Sequence, residues 1–161
     1  MENQNFMLRT AFACCACLLV SLAAAAPAQE PVQVWLDPGF FSYHFKEGNY
    51  RQDNYGIGVG VFVAPEHGFI AGTFFNSNDE RSHYAAYHWR PWGWNPAGVS
   101  VRAGLAFGVM DGYSNTNNGH WFPIVLPALS AEYGHFGANL ILAPNPENGT
   151  ALALQLRLRM W

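Results

Sequence analysis

Two-residue alternation runs through most of this chain, and it confines the chain to strands whose two faces differ in chemistry. Between Val99 and Val109 the odd positions are Val99, Val101, Ala103, Leu105, Phe107 and Val109, and the even ones are Ser100, Arg102, Gly104, Ala106 and Gly108. Tyr55 to Val63 repeats the pattern, with Tyr55, Ile57, Val59, Val61 and Val63 on one parity and Gly56, Gly58 and Gly60 on the other. Successive side chains of a strand point to opposite faces. In a water-soluble sandwich the face away from the core carries charge; here it carries glycine, alanine, serine and a single arginine. Small residues suit the inside of a narrow barrel, which turns the apolar face outward toward lipid. A soluble lipocalin-like barrel would need more charge on that outward parity.

The start of the chain agrees with a membrane destination. Arg9 precedes an uncharged run from Thr10 to Ala26, and Ala26-Pro27-Ala28 has the small-x-small form of a signal-peptidase site. Met1 to Ala28 therefore reads as a cleaved export signal. The run is shorter than the roughly 20 residues a spanning helix needs. Cys14, Cys15 and Cys17 all fall within it, so residues 29–161, read as a single domain, carry no thiol chemistry. Charged residues make up 12% of the chain, about half the usual share of roughly 25%. A net charge of -3 with one lysine, Lys46, offers no basic surface to nucleic acid. There is no zinc-type spacing and no nucleotide loop, so neither metal nor cofactor is expected.

Eight strands are predicted: Gly39 to Phe45, Tyr55 to Val63, Phe69 to Asn76, Ser82 to Trp89, Val99 to Met110, Ile124 to Tyr133, Gly137 to Leu142 and Ala151 to Met160. Turn-forming residues separate nearly every pair. The expected fold is all-β: an eight-stranded antiparallel up-and-down transmembrane barrel in the bacterial outer membrane, monomeric. With the amino terminus left in the periplasm, Lys46 to Asn54 and Gly112 to Trp121 become outer loops, and Pro65 to His67 and Gly134-His135 become short periplasmic turns. Pro91 to Gly98 reads as a longer turn. Trp35, Trp89, Trp92, Trp94, Trp121 and Tyr133 fall near strand ends, where aromatic rings favour the membrane interface. The last strand sets Leu152, Leu154, Leu156, Leu158 and Met160 toward lipid against Ala153, Gln155, Arg157 and Arg159 toward the lumen. Its terminal aromatic, Trp161, implies the outer-membrane assembly machinery as a partner, although it falls on the lumenal parity.

Chemistry concentrates at the outer rim. Ser42 and His44 share a parity opposite Phe41, Tyr43 and Phe45, which points the imidazole inward, and the third strand ends there in Asn76-Ser77. A neutral imidazole beside a hydroxyl can take its proton and make it a nucleophile. A barrel interior also needs polar pairs for purely structural reasons, and residue spacing alone leaves both roles open for His44. His88, Arg102, Glu132, Gln155, Arg157 and Arg159 read as a structural hydrogen-bond and charge network.

From Phe74 to Trp161 the chain resembles the outer-membrane lipid A palmitoyltransferase family. The residues that carry the likeness are Phe74-Phe75-Asn76-Ser77, Tyr87 and Trp89, Gly104 to Phe107, Phe122-Pro123-Ile124-Val125-Leu126-Pro127, Ser130, Tyr133-Gly134, Pro144 and Asn148-Gly149. The proline-rich segment is the most specific; the glycine runs are generic to barrels. Before Phe74 the match is looser, through His44 and Asn54-Tyr55. The resemblance implies transfer of a palmitoyl-type chain from a phospholipid to lipid A, with the barrel interior gauging the acyl chain. It implies His44, Asn76 and Ser77 as the catalytic set. It also implies a lateral lipid gate at Pro123, Pro127 and Pro144, because proline cannot donate a ladder hydrogen bond. Asn76 stands where the family carries Asp, so the role is purely positional, Asp79 substitutes, or the reaction has been lost. The family's amphipathic amino-terminal helix has no room before Pro38. The competing expectation is a small outer-membrane barrel that binds lipid, or steadies the membrane, without turnover.

Overall fold

A computed structural model describes residues 31–144 and 149–161. The expected export signal and its cysteines lie outside these residues, as do Asn148 and most of the loop before the last strand. Eight antiparallel strands close into a barrel in sequence order, β8 pairing back with β1. They are β1 (Gln33–His44), β2 (Asp53–Ala64), β3 (His67–Phe75), β4 (Arg81–Trp94), β5 (Ser100–Met110), β6 (Phe122–Tyr133), β7 (Phe136–Ala143) and β8 (Ala151–Arg159). Among the described residues the only helical pieces are two 3-10 turns, Pro96–Gly98 and Asn117–Gly119. No helix among them is long and apolar enough to cross a membrane.

The faces fall as the alternation requires. Tyr55, Ile57, Val59 and Val63 of β2, Phe107 and Val109 of β5, and Leu154, Leu156 and Leu158 of β8 are exposed on the outside. Gly58, Gly60, Gly104, Ala106, Gln155 and Arg157 are buried within. Connections sort by length. The segments after β1, β3 and β5 gather at one end of the barrel, where β7 also ends and β8 begins. Pro65-Glu66, residues 95–99 and Gly134-His135 turn at the other, where β1 starts and β8 ends. The first is called the loop end below, the second the turn end.

Two strands run six and five residues further at one end than expected, both through a proline. β1 begins at Gln33 rather than Gly39, and its pairing with β2 skips between Asp37 and Gly39. This bulge absorbs Pro38 and sets Gly39 at φ 110°, a conformation that costs glycine little. β4 continues past Trp89 to Trp94, with a second irregularity between Trp89 and Trp92 that absorbs Pro91. The first half of the longer turn expected from Pro91 to Gly98 is therefore strand. A further correction follows for Trp35. It is fully buried inside the barrel, not at a membrane interface, whereas Trp89, Trp92, Trp94, Trp121 and Tyr133 are exposed on the outside.

Candidate functional site

The turn-end half of the interior is filled. Arg157 Nε donates to Asp37 Oδ1 at 2.9 Å, and both side chains are essentially inaccessible. Glu132 accepts from Arg90 and lies 3.5 Å from Arg157 Nη1. Phe62 sits beneath both guanidiniums, with Arg90 Cζ 3.9 Å and Arg157 Cζ 5.0 Å from its ring centre. Trp35 takes Arg157 on its own face at 4.7 Å. Gly60 makes this packing possible, because a Cβ there would stand 2.8 Å from Arg157 Nη2. His88 lies buried beside Phe62 and its ring nitrogens have no hydrogen-bond partner among the described residues. Arg102 pairs with Glu66 across the rim at 2.9 Å. The residues read from the sequence as a structural network fall in or beside this plug, and Arg90, Asp37, Trp35 and Phe62 complete it.

Above the plug, a layer of hydrogen-bonded polar groups makes a floor. Ser130 Oγ donates to Asn139 Oδ1 at 2.7 Å, and Asn139 Nδ2 donates to Gln155 Oε1 at 2.8 Å. The loop-end half over this floor is hollow. A cavity of about 500 Å³ is walled by Phe40, Ile70, Phe74, Tyr84, Ala86, Ala106, Met110, Phe122, Ile124, Leu126, Ile141, Ala151 and Ala153. His44, Ser77, Tyr50, Tyr113, Asn78 and Asn115 to Asn117 line its mouth.

The fold brings His44 and Ser77 together across β1 and the end of β3. His44 Nε2 and Ser77 Oγ are 2.9 Å apart. The imidazole is stacked on Tyr50, ring centres 4.2 Å apart, and Ser42 Oγ lies 3.5 Å from the same Nε2. Ser42 in turn donates to Asn54 Oδ1 at 2.6 Å, and Asn54 Nδ2 donates to the Phe75 carbonyl at 2.9 Å, so the rim of β1 is fastened to β2 and β3. His44 Nδ1 is buried with no hydrogen-bond partner among the described residues. Tyr113, beside Ser77, keeps its proton across the working range: burial pushes its phenol up to about 12, with hydrogen bonding to Ser77 opposing.

Asn76 is next to Ser77 in sequence but not in the cavity wall. It is completely buried, and its amide is fully used. Nδ2 donates to Ser82 Oγ at 3.0 Å and to the Gly112 carbonyl at 2.8 Å, while Oδ1 accepts from the backbone N–H of Asn78 at 2.9 Å and of Glu80 at 3.0 Å. These four bonds shape the turn that presents Ser77 and tie it to the loop after β5. Asp79 does not stand behind His44; it is exposed and paired with Arg51. On the same turn, the Ser114 N–H donates to Glu80 at 3.0 Å, and this bond holds the Glu80 carboxyl below the usual range.

The prolines lie along a break in the barrel wall. β6 pairs with β5 over its whole length, from Phe122 to Glu132. Its pairing with β7 begins only at Ala128 and leaves Phe122 to Pro127 without a strand partner on that side among the described residues. Pro123, Val125 and Pro127 share a parity, so their backbone groups face the same neighbour, and the uninterrupted β5 ladder makes that neighbour β7. Proline brings no N–H to that edge. The side chains of Pro123, Val125 and Pro144 line the cavity although Pro123 and Val125 face outward, so the hollow reaches the barrel exterior through this seam. Pro127 marks the point where pairing resumes.

Among the described residues no group of His, Cys, Asp or Glu is arranged to hold a metal ion. No protein-family model matches the chain, and no curated protein matches its sequence. Tyr50 and Tyr113 were missed by sequence reasoning, and Ser42 and Asn54 were named there without a role in the site. Ser42 was visible through its parity with His44; the tyrosines lie in loops, where alternation carries no signal.

Proposed function

We propose that this chain is an outer-membrane enzyme that moves a fatty acyl chain of palmitoyl type from a phospholipid to lipid A. The observation that carries the reading is the pairing of His44 with Ser77 at 2.9 Å on the mouth of an apolar cavity that opens sideways.

Membrane placement is supported by the inverted surface. Leucine, valine and aromatic side chains form the outside, and the ion pairs Asp37–Arg157 and Arg90–Glu132 are enclosed within. A closed barrel satisfies its backbone without water, as crossing lipid requires. At the open part of the β6/β7 seam each backbone donor left facing lipid would cost several kcal/mol. Pro123 and Pro127 remove two of those donors, so the seam stands open at lower cost and a lipid chain can slip through it. Once inside, each methylene withdrawn from water is worth about 0.8 kcal/mol, which holds a long chain without a cofactor.

With the tail in the cavity, its ester lies near the mouth. His44 Nε2 takes the proton of the acceptor hydroxyl as that oxygen bonds to the ester carbonyl carbon. The bond from that carbon to the glycerol oxygen breaks, and the glycerol oxygen receives the proton, leaving a lysophospholipid. Ser77 orients the imidazole and polarises the reacting groups. Asn76 acts at one remove, by shaping the turn that carries Ser77.

The test is transfer of a radiolabelled acyl chain from phosphatidylcholine to lipid A by the purified barrel in detergent micelles. His44→Ala and Ser77→Ala are expected to lower the rate at least about 100-fold, the low end for loss of general acid–base catalysis. Equal rates in wild type and variants reject the assignment. Two observations favour a second reading, a lipid-binding barrel without turnover: Asn76 is fully committed to the turn, and among the described residues His44 Nδ1 has no hydrogen-bond partner. That reading predicts a bound acyl chain in the mass spectrum of the purified protein and no transfer.

A further inference from the structure

The loop after β1 touches both members of the His44 and Ser77 pair. Tyr50 lies on the imidazole, with ring centres 4.2 Å apart and planes 17° apart. The next residue, Arg51, donates its backbone N–H to the Ser77 carbonyl at 2.9 Å, and its guanidinium pairs with Asp79 on the turn that presents Ser77. One residue further, the Gln52 carbonyl accepts from the Ser42 N–H at 2.8 Å. Tyr50 is therefore anchored, through its neighbours, to the strand that carries the imidazole and to the turn that carries the hydroxyl. Gly48 leaves room for this arrangement, because a Cβ there would run into Cε2 and Cζ of the Tyr50 ring.

Proton transfer makes the plane of an imidazole matter. The lone pair of a ring nitrogen lies in that plane, so a base works well only when the plane contains the hydroxyl it serves. The contact between His44 Nε2 and Ser77 Oγ fixes the position of one ring atom but not the tilt of the ring. An aromatic neighbour lying nearly parallel removes the remaining freedom, since tilting the imidazole breaks the stack. A third group that orients the base is the usual complement to a nucleophile or hydroxyl and its base. The polar residues that flank Ser77 are committed elsewhere, Asn76 to the turn and Asp79 to Arg51.

We propose that Tyr50 is a positioning residue whose ring holds the His44 imidazole in the plane that presents Nε2 to Ser77 and to an acceptor hydroxyl beside it. What the imidazole then does rests on the acyl-transfer reading; the stack itself does not. The contact is made through the face of the ring, so phenylalanine at this position serves as well as tyrosine, and an aliphatic side chain does not.

The ring protons of isotope-labelled histidine are followed by NMR in the barrel refolded into detergent micelles, with His44→Ala identifying the His44 signals. In the wild type these signals are expected upfield of an unstacked histidine, moved by the tyrosine ring current; Tyr50→Phe keeps them there and Tyr50→Leu loses the shift. Acyl transfer from phosphatidylcholine to lipid A is measured on the same samples. Tyr50→Leu is expected to lower kcat about ten- to hundredfold, the scale for a misplaced catalytic group, with KM little changed, and Tyr50→Phe to restore most of the rate. If Tyr50→Leu fails to fold, Gly48→Ala takes its place, because it keeps the tyrosine and pushes its ring aside; both readouts then move in the same direction by less, and no change in either overturns the proposal. Unshifted His44 signals in the wild type, equal loss in Tyr50→Phe and Tyr50→Leu, or a raised KM at constant kcat also overturns it. A shifted His44 with no transfer by any sample removes the enzyme reading and leaves Tyr50 as the residue that sets the imidazole plane.

Discussion

The two halves of the barrel interior are built from the same eight strands, yet one is solid and the other hollow. At the turn end, side chains of opposite charge interlock: Asp37, Arg157, Glu132 and Arg90 between the rings of Trp35 and Phe62. At the loop end, alanines and aliphatic side chains line the wall and leave about 500 Å³ unfilled. The wall differs too. Near the turn end every strand is paired on both sides, while β6 loses β7 near the loop end. The contrast teaches a division of labour: buried ion pairs make one half rigid enough to let the other half remain open.

The largest expected effect comes from breaking the solid half. Arg157→Ala leaves Asp37 without its buried partner and takes one cation from Glu132, so stability in urea titrations of the vesicle-embedded barrel falls by about 3–5 kcal/mol. Replacing Asp37 and Arg157 together by a well-packed apolar pair costs much less, because no lone charge remains. If Arg157→Ala alone were harmless, the plug would not be what holds the barrel.

Next is Asn76→Asp, which touches the loop end. A carboxylate keeps the two acceptor bonds from Asn78 and Glu80 but faces the Gly112 carbonyl with no proton to give. Loss of stability of about 1–3 kcal/mol is expected, together with faster hydrogen exchange in the loop after β5. A gain in acyl transfer on this substitution would show that a carboxylate beside Ser77 matters more to the chemistry than the turn does.

A smaller change closes the seam. Pro123→Ala with Pro127→Ala returns two N–H donors to the β6 edge, and pairing with β7 can then extend beyond Ala128. Stabilisation of up to about 1 kcal/mol per bond formed and slower uptake of a spin-labelled phospholipid are expected. Unchanged uptake would mean that lipid does not pass there.

The least effect is a pH response of the loops. The Ser114 N–H holds the Glu80 carboxyl below the usual range. Its contribution is therefore fully present above the ordinary carboxylate pKa and disappears as pH falls through the lowered one. Protection of the Ser114 amide, corrected for the intrinsic pH dependence of exchange, is expected to fall in that acid window.

How far the sequence was readable follows from where its regularities stop. Alternation placed all eight strands and set their faces, since a period of two leaves no freedom about which side a residue takes. It also turned His44 inward and put Asn76-Ser77 on the same rim. Reading failed at Pro38 and Pro91, where a breaker in the sequence is a bulge in the structure. Trp35, Asp37 and Arg90, three members of the plug, lie at or beyond those two points and were missed for that reason. Asn76 was legible as a neighbour of Ser77, but its fully satisfied amide was not, because its partners come from two loops and the start of β4, 2 to 36 residues away.

By itself the sequence determined a barrel with an apolar exterior and a small, polar interior, because side-chain parity along a strand is a local property of the backbone. Only the closed structure decided which interior half is filled, that His44 meets Ser77, and that the wall parts beside Pro123 and Pro127. Those outcomes depend on register between strands distant in the chain, and register is settled by how all eight pack around one lumen.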